Sequence, residues 1–285
     1  MAPLVTARRS EAKPSEARAR ARWAAALTAG VALCAAAGAR AGPYAEGGYA
    51  PSLMQAWATG VAAFHRGPID IADPGLGDAS YGAPENALGA PPDDVTHVYS
   101  HGDGGTLTLS IASRIGDGPG DDFAVFENGF YAPGGFFGEF AFVEVSSNGT
   151  DFARFPSACL RTTPVPDGGV VDPTDYHNLA GKHPRLSGTG FDLAELAQDP
   201  LVAQGKLDLA RVSHVRLVDV IGNGSTTDAS GRPVYDPYPT RYPSSGFDAQ
   251  AVGVLHVPEP DFAASFAAGA VAIVFLRRRP CARRR

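Results

Sequence analysis

Carboxylates crowd one apolar stretch of this 285-residue chain. Asp117, Asp121, Asp122, Glu127 and Asn128 fall within twelve positions, around the run Gly120-Asp121-Asp122-Phe123-Ala124-Val125-Phe126-Glu127-Asn128-Gly129-Phe130. The run reads as a buried strand with acids at both ends. A carboxylate among apolar neighbours is costly unless it is paired or bound to a cation. Calcium takes its oxygen ligands from carboxylates and carbonyls, which Gly-rich loops supply. The expectation is a calcium ion held by Asp121, Asp122, Glu127 and Asp248. No twelve-residue calcium loop is present, so this reading rests on composition. The competing reading leaves the acids at solvated strand ends, with salt bridges to Arg154 and Arg216. Strand alternation points Asp121 and Glu127 with Phe123 and Val125, and Asp122 with Phe126. It also places Asp219 with Val215, Leu217 and Ile221, and Glu144 with Phe140 and Phe142.

Aromatic residues form a second constellation, in loops rich in Gly and Pro. Tyr131, Phe136, Tyr235 and Tyr238 are the candidate rings for stacking on sugar faces, in company with Phe130, Phe137 and Tyr242. The alternative use of such rings is as lids over the core. Histidines make no catalytic set. His97 and His101 straddle an expected turn and share no helix face, which argues against zinc. His177 and His183 lie in a long irregular excursion. Ser187 and Ser213 have no Gly-x-Ser-x-Gly context. The chain is therefore expected to be non-catalytic. The alternative is a surface glycoside hydrolase or lyase using Glu127 with Glu144 or a nearby Asp. Such a pair should face one cleft, with its carboxyls about 5–10 Å apart.

The elements that must position these groups read as short strands. With Gly 34 and Pro 24, the composition suits many turns between strands. Thr106 to Ile111 alternates polar and apolar with period two. The expected fold is mainly β: one antiparallel β-sandwich of jelly-roll type over residues 57–257, after a linker at 42–56, with long loops and one short helix. Strand 121–127 is expected to pair with strand 139–147. His101-Gly102-Asp103-Gly104-Gly105 is expected to close a hairpin. Asn148-Gly149-Thr150-Asp151 reads as a turn. Asp192 and Glu195 resemble a capping box on the short helix. Residues 156–190 and 228–245 are long loops. Cys159 is the one cysteine of this region, so no disulfide can form within it, and a buried free thiol is expected.

Charge separates three zones. Residues 1–41 carry a net +5 and residues 258–285 a net +4, whereas residues 42–257 carry eleven basic and twenty-six acidic groups, a net −15. So acidic a region repels nucleic acid and anionic lipid, and suits cations or neutral sugars. Arg18, Arg20 and Arg22 precede an apolar run from Trp23 to Ala39, which ends in Ala39-Arg40-Ala41. This reads as a signal peptide cut before Gly42. At the other end, Phe262 to Leu276 is an apolar helix of fifteen residues, about 22 Å long against a hydrocarbon core of roughly 30 Å. Basic flanks stay inside, so residues 42–257 are expected outside the inner membrane.

The tail resembles the PEP-CTERM sorting signal of Gram-negative bacteria. The match is Pro258-Glu259-Pro260, a short transmembrane helix, and the cluster Arg277-Arg278-Arg279, interrupted by Pro280-Cys281 before three more arginines. The resemblance implies recognition by an exosortase, a membrane peptidase, and an association with exopolysaccharide and biofilm. Gly82 to Pro91 resembles a turn element of discoidin-like, galactose-binding jelly rolls. Most of residues 57–257 resembles uncharacterised bacterial cell-surface proteins. The pieces that carry this are Asp122 to Phe130, Val143 to Ser146, Asn178 to Lys182, Val218 to Gly222, Tyr235 to Thr240 and Gly246 to Asp248. The resemblance implies an exported β-sandwich, without an established activity.

Overall fold

A computed structural model describes residues 42–259. The expected signal segment at 1–41, and Pro260, Arg277, Arg278 and Arg279 with the apolar run before them, lie outside the described residues. Among the described residues no helix is long and apolar enough to cross a membrane.

Two antiparallel sheets enclose the main core. The first runs β1 (Ala56–Trp57), β15 (Asp248–Val254), β5 (Phe123–Glu127), β13 (Thr189–Phe191), with β3 (Tyr99–Ser100) also paired to β15. The second runs β12 (Leu179–Ala180), β8 (Ala141–Ser146), β14 (Val212–Asp219), β4 (Thr106–Ile115), β2 (Gly60–His65), with β9 (Ala153–Arg154) on β8. Two small ladders stand apart: β6 (Phe130–Ala132) with β7 (Gly135–Phe137), and β10 (Ala158–Cys159) with β11 (Tyr176–His177). The fold is thus a mainly-β antiparallel sandwich. Its one described α-helix is a single turn, Pro200–Ala203, capped by Asp199.

Period-two alternation decides what each strand buries. Leu107, Leu109 and Ile111 of β4, Val143 and Val145 of β8, and Phe123 and Val125 of β5 meet in one cluster between the sheets. The opposite faces are covered as well. Ala124 and Phe126 of β5 are buried under Tyr49, Met54 and Trp57. Phe142 of β8 joins Cys159, Tyr176, Leu179, Val220 and Val234 in a further cluster. The excursion after β9 and the loop after β14 therefore form a third layer on the second sheet. Cys159 is free and buried.

Three local expectations are corrected. β5 and β8 do not pair; they belong to opposite sheets. The segment 101–105 is no hairpin: β3 pairs with β15 and β4 with β14 and β2, so the segment crosses between sheets. Positive φ at Gly102 and Gly104 lets it turn that sharply. After Asp192 comes a 3-10 turn, Leu193–Leu196, which Asp192 caps through the Ala194 amide. Glu195 does not close a capping box; its carboxylate binds Asn178 and faces His177.

Phe123 is fully buried and stacks on Phe191, whereas Phe130 is 53 % exposed. Phe123→Ala should cost about 3–5 kcal/mol in denaturant unfolding, the usual loss for a core phenylalanine. Phe130→Ala should stay within about 0.5 kcal/mol of the parent. Equal losses at both positions would contradict this layering.

Candidate functional site

Nearly every connection switches sheets, so many strand ends meet at one end of the sandwich. Glu127 is the last residue of β5 and Asp219 the last of β14; Asp248 opens β15, while Asp103 and Glu139 lie just before β4 and β8. Asp236 arrives from the loop between β14 and β15. All six carboxyl groups are buried.

Five of the six are held by donors. Asp219 accepts from the amides of Gly104 (2.9 Å) and Phe247 (2.7 Å). Asp236 accepts from the Phe140 amide at 2.9 Å, Glu127 from the Gly129 amide, and Asp103 from the Ile71 amide at 2.7 Å. Asp248 takes the Ser100 hydroxyl and, at 3.1 Å, the Asn128 amide. Glycines make room for these oxygens. A Cβ on Gly222 would collide with Asp236, and one on Gly246, whose φ is +70°, would lie 2.7 Å from the Asp219 carboxylate. Glu139 differs. It is 6 % exposed, and among the described residues no donor bonds its carboxylate.

Electrostatics follow from this crowding. Burial, then the charges of Asp248, Asp236, Glu127 and Asp219, pushes the Glu139 carboxyl well above the usual range. Burial likewise raises Glu127, Asp219 and Asp236. Burial lifts Asp103 and Asp248 to about 6, with the Ile71 amide opposing at Asp103 and Ser100 and Asn128 opposing at Asp248. Arg66 is the cation that bears on Asp248, but its guanidinium is already tied to the carbonyls of Tyr81, Gly82 and Ser100 and lies 4.4 Å over the Tyr99 ring.

Above the carboxylates lies a groove of about 460 Å³, with Glu139, Asp248 and Thr240 on its floor and Val95, Phe130, Phe137 and Tyr242 around it. Beneath the floor is a void of about 10 Å³, lined by Glu139, Asp103, Asp219, Asp236 and Thr240. Such a void has room for about one water molecule. Glu139 faces both spaces.

The expected calcium set does not converge. Asp122 and Glu127 flank β5 at opposite ends, roughly 17 Å apart at the usual rise per strand residue. Asp121 turns out of the strand to Tyr49, in a pocket of about 90 Å³ shared with Glu46, His177, Lys182 and Glu195. Buried Lys182, paired with Glu46, balances Asp121 there. Asp122 accepts from the Gly118 and Leu193 amides and contacts His256 at 2.8 Å. Asp117, Asp122 and Asp192 do bring carboxylate oxygens within 4.8 Å of one another, but Asp122 is tied to the Gly118 and Leu193 amides, Asp192 caps the Leu193–Leu196 turn, and Asp117 is exposed. Only Glu127 and Asp248 of the four belong to the convergent end.

The expected sugar-stacking rings are also redistributed. Phe136 is fully buried core. Tyr131 packs edge-on against it and is exposed beside the 42–48 segment, away from the groove. Tyr235 packs against the third layer, and the Tyr238 hydroxyl donates to Asp70 at 2.6 Å. Alternation along β6 and β7 instead gives the groove Phe130 and Phe137, stacked at 5.2 Å, and Tyr242 joins them, 60 % exposed. Nor do Glu127 and Glu144 share a cleft. Glu144 lies on the outer face of the second sheet, paired with Arg154 and Arg216. Asp103, Glu139 and Asp236 were not expected site residues. Asp103 and Glu139 carry one weak signal, an acid beside a glycine just before a strand; Asp236, between Tyr235 and Pro237 in a loop, carries none.

No protein-family model matches this chain, and no curated protein is significantly similar to it.

A carboxyl that keeps its proton more tightly when folded gives stability that is full below the unfolded value, about 4, and is lost as pH rises through the folded value. For Asp103 that window is about pH 4 to 6 and just above. Buried His101 and His183, lowered to about 4, act in the opposite sense over much of the same range, so the parent's own profile mixes both. The difference between Asp103→Asn and the parent isolates one group. In chelated buffer the two should melt alike at pH 4, and the variant should melt a few degrees higher at pH 7. A gap independent of pH would contradict the assignment.

Proposed function

We propose that this chain is a non-catalytic, exported cell-surface or extracellular-matrix protein of a Gram-negative bacterium, and that its end groove binds a neutral polysaccharide. The signal segment and the Pro258-Glu259-Pro260 tail support export: first to the inner membrane facing the periplasm, then exosortase processing to the surface or matrix. The observation that carries the binding reading is the groove itself. Three aromatic side chains, Phe130, Phe137 and Tyr242, flank an acidic floor. Rings exposed around a groove offer faces for stacking on sugars, while the acids and the net −15 of residues 42–257 disfavour anionic ligands.

A hydrolase reading has one observation in its favour. Glu139 and Asp248 line the same groove, and both hold protons above the usual carboxylate range. A general acid needs that property. The two readings separate on turnover: a glycan retained intact supports binding, and reducing ends released by the parent but not by Glu139→Gln support hydrolysis.

On a glycan array the parent should retain neutral polysaccharides, and Phe130→Ala and Tyr242→Ala should each weaken the best ligand about tenfold with little change in melting temperature. Unchanged binding in both variants would remove the groove from the account. In cells, protease added outside the inner membrane should digest residues 42–257 of the full chain. Protection equal to that of a cytosolic marker would refute export.

A further inference from the structure

The segment from Gly42 to Tyr49 lies on the molecule as a strap. The Gly42 nitrogen donates to the Thr174 hydroxyl, and the Tyr44 amide donates to the Thr174 carbonyl at 3.1 Å. The Tyr44 ring stacks on His177 at 4.8 Å. Glu46 pairs with buried Lys182 and lies 3.2 Å from the His177 ring nitrogen. Tyr49 closes the strap with two backbone bonds to Gly188. The seat of its first residue is acidic and close-fitting. The Thr174 hydroxyl donates to Asp172 at 2.6 Å. A Cβ on Gly42 would collide with the Thr174 carbonyl and lie 2.8 Å from the Asp175 carboxylate, so the seat takes only glycine. Burial, then the charge of Asp172, raises the Asp175 carboxyl. Arg161 bears on Asp175, but its Nε donates to the Thr163 carbonyl at 2.9 Å. An amide nitrogen brings these two acids only a dipole, whereas an ammonium brings a full charge.

We propose that Gly42 is the first residue of the exported chain, and that its α-ammonium seats on the Asp172–Asp175 turn, beside the Asp175 carboxylate and joined to Asp172 through the Thr174 hydroxyl. This rests on the export reading, in which a signal peptidase adds water across the Ala41–Gly42 peptide bond. The products are a carboxylate on Ala41 and an ammonium on Gly42, so cleavage puts a cation where the two acids stand. Hydrogen bonds from an ammonium to such acceptors are shorter and stronger than those from a neutral amide. Processing then has a structural result. The strap carries Glu46 to Lys182, and without it that buried ammonium would lose its bonded carboxylate, a costly state. Seating the new terminus holds the strap in place, and the strap completes the polar pocket that Lys182 shares with Asp121, His177 and Glu195.

The test uses the chain as processed by an exporting host, with acetic anhydride as the probe of free amines. Mass spectrometry should place the first residue at Gly42. At pH 7.5 the Gly42 amine should acetylate about tenfold more slowly in the folded chain than in the same chain in urea, because a neighbouring carboxylate raises its proton affinity by about one pKa unit. Asp175→Asn should restore most of the rate seen in urea, in a chain that still melts cooperatively. Gly42→Ala, whose methyl does not fit the seat, should restore it too and should open Lys182 to the reagent. A folded parent that acetylates at the urea rate would overturn the seat. So would protection that Asp175→Asn leaves intact, since burial and not charge would then be its cause. A chain that begins at another residue would overturn the cleavage and the seat together. Cleavage at Gly42 with an unprotected amine would overturn the seat and leave export standing.

Discussion

Like charges brought together out of water set the terms for this molecule. Six carboxyl groups are buried at one end of a sandwich, and Arg66, the guanidinium that bears on Asp248, is committed to backbone carbonyls. Separated ions in such a setting would repel strongly, because the interior screens them far less than water does. The fold answers with donors at five of the six. Main-chain amides of Gly104, Gly129, Phe140 and Phe247 all aim at carboxylate oxygens. That pattern fixes the loops, and it leaves Glu139 as a carboxyl that burial and its neighbours keep protonated well above its ordinary value.

Topology explains why the acids meet. In a sandwich whose connections cross from sheet to sheet, the ends of β4, β5, β8, β14 and β15 are gathered at one edge of the core. An acid placed at each strand end is then carried into the same small volume. The long loops have a second task. They cover the outer face of the second sheet with Phe136, Tyr176, Val220 and Val234, so the chain needs no disulfide to hold an irregular third layer. The N-terminal segment does the same for the first sheet through Tyr49, Met54 and Trp57.

The architecture was legible because its signal is local. Period-two alternation in Thr106 to Ile111, the Asn148-Gly149 turn and the lone Cys159 each needed a few neighbouring residues to read. Strand partners were not legible. Phe123 to Glu127 and Ala141 to Ser146 are close in sequence and equally apolar, yet the β6–β7 ladder between them lets the chain cross to the other sheet. The site was half legible for the same reason. Glu127 and Asp248 announce themselves as acids at strand ends, but Asp121 and Asp122 look identical to them. Only the three-dimensional path shows that those two serve Tyr49 and the turn at Gly118 instead. Glu139, which follows the glycine-rich β6–β7 turn, is marked only by Gly138 beside it. Its importance comes from what does not reach it.

The most direct measurement is carbon-13 NMR of the side-chain carboxyls across pH in chelated buffer. The account predicts that the Glu139 carboxyl keeps its proton well above the usual carboxylate range, because burial and its acidic neighbours both oppose its charge. A Glu139 carboxyl that loses its proton together with the exposed carboxylates would contradict it.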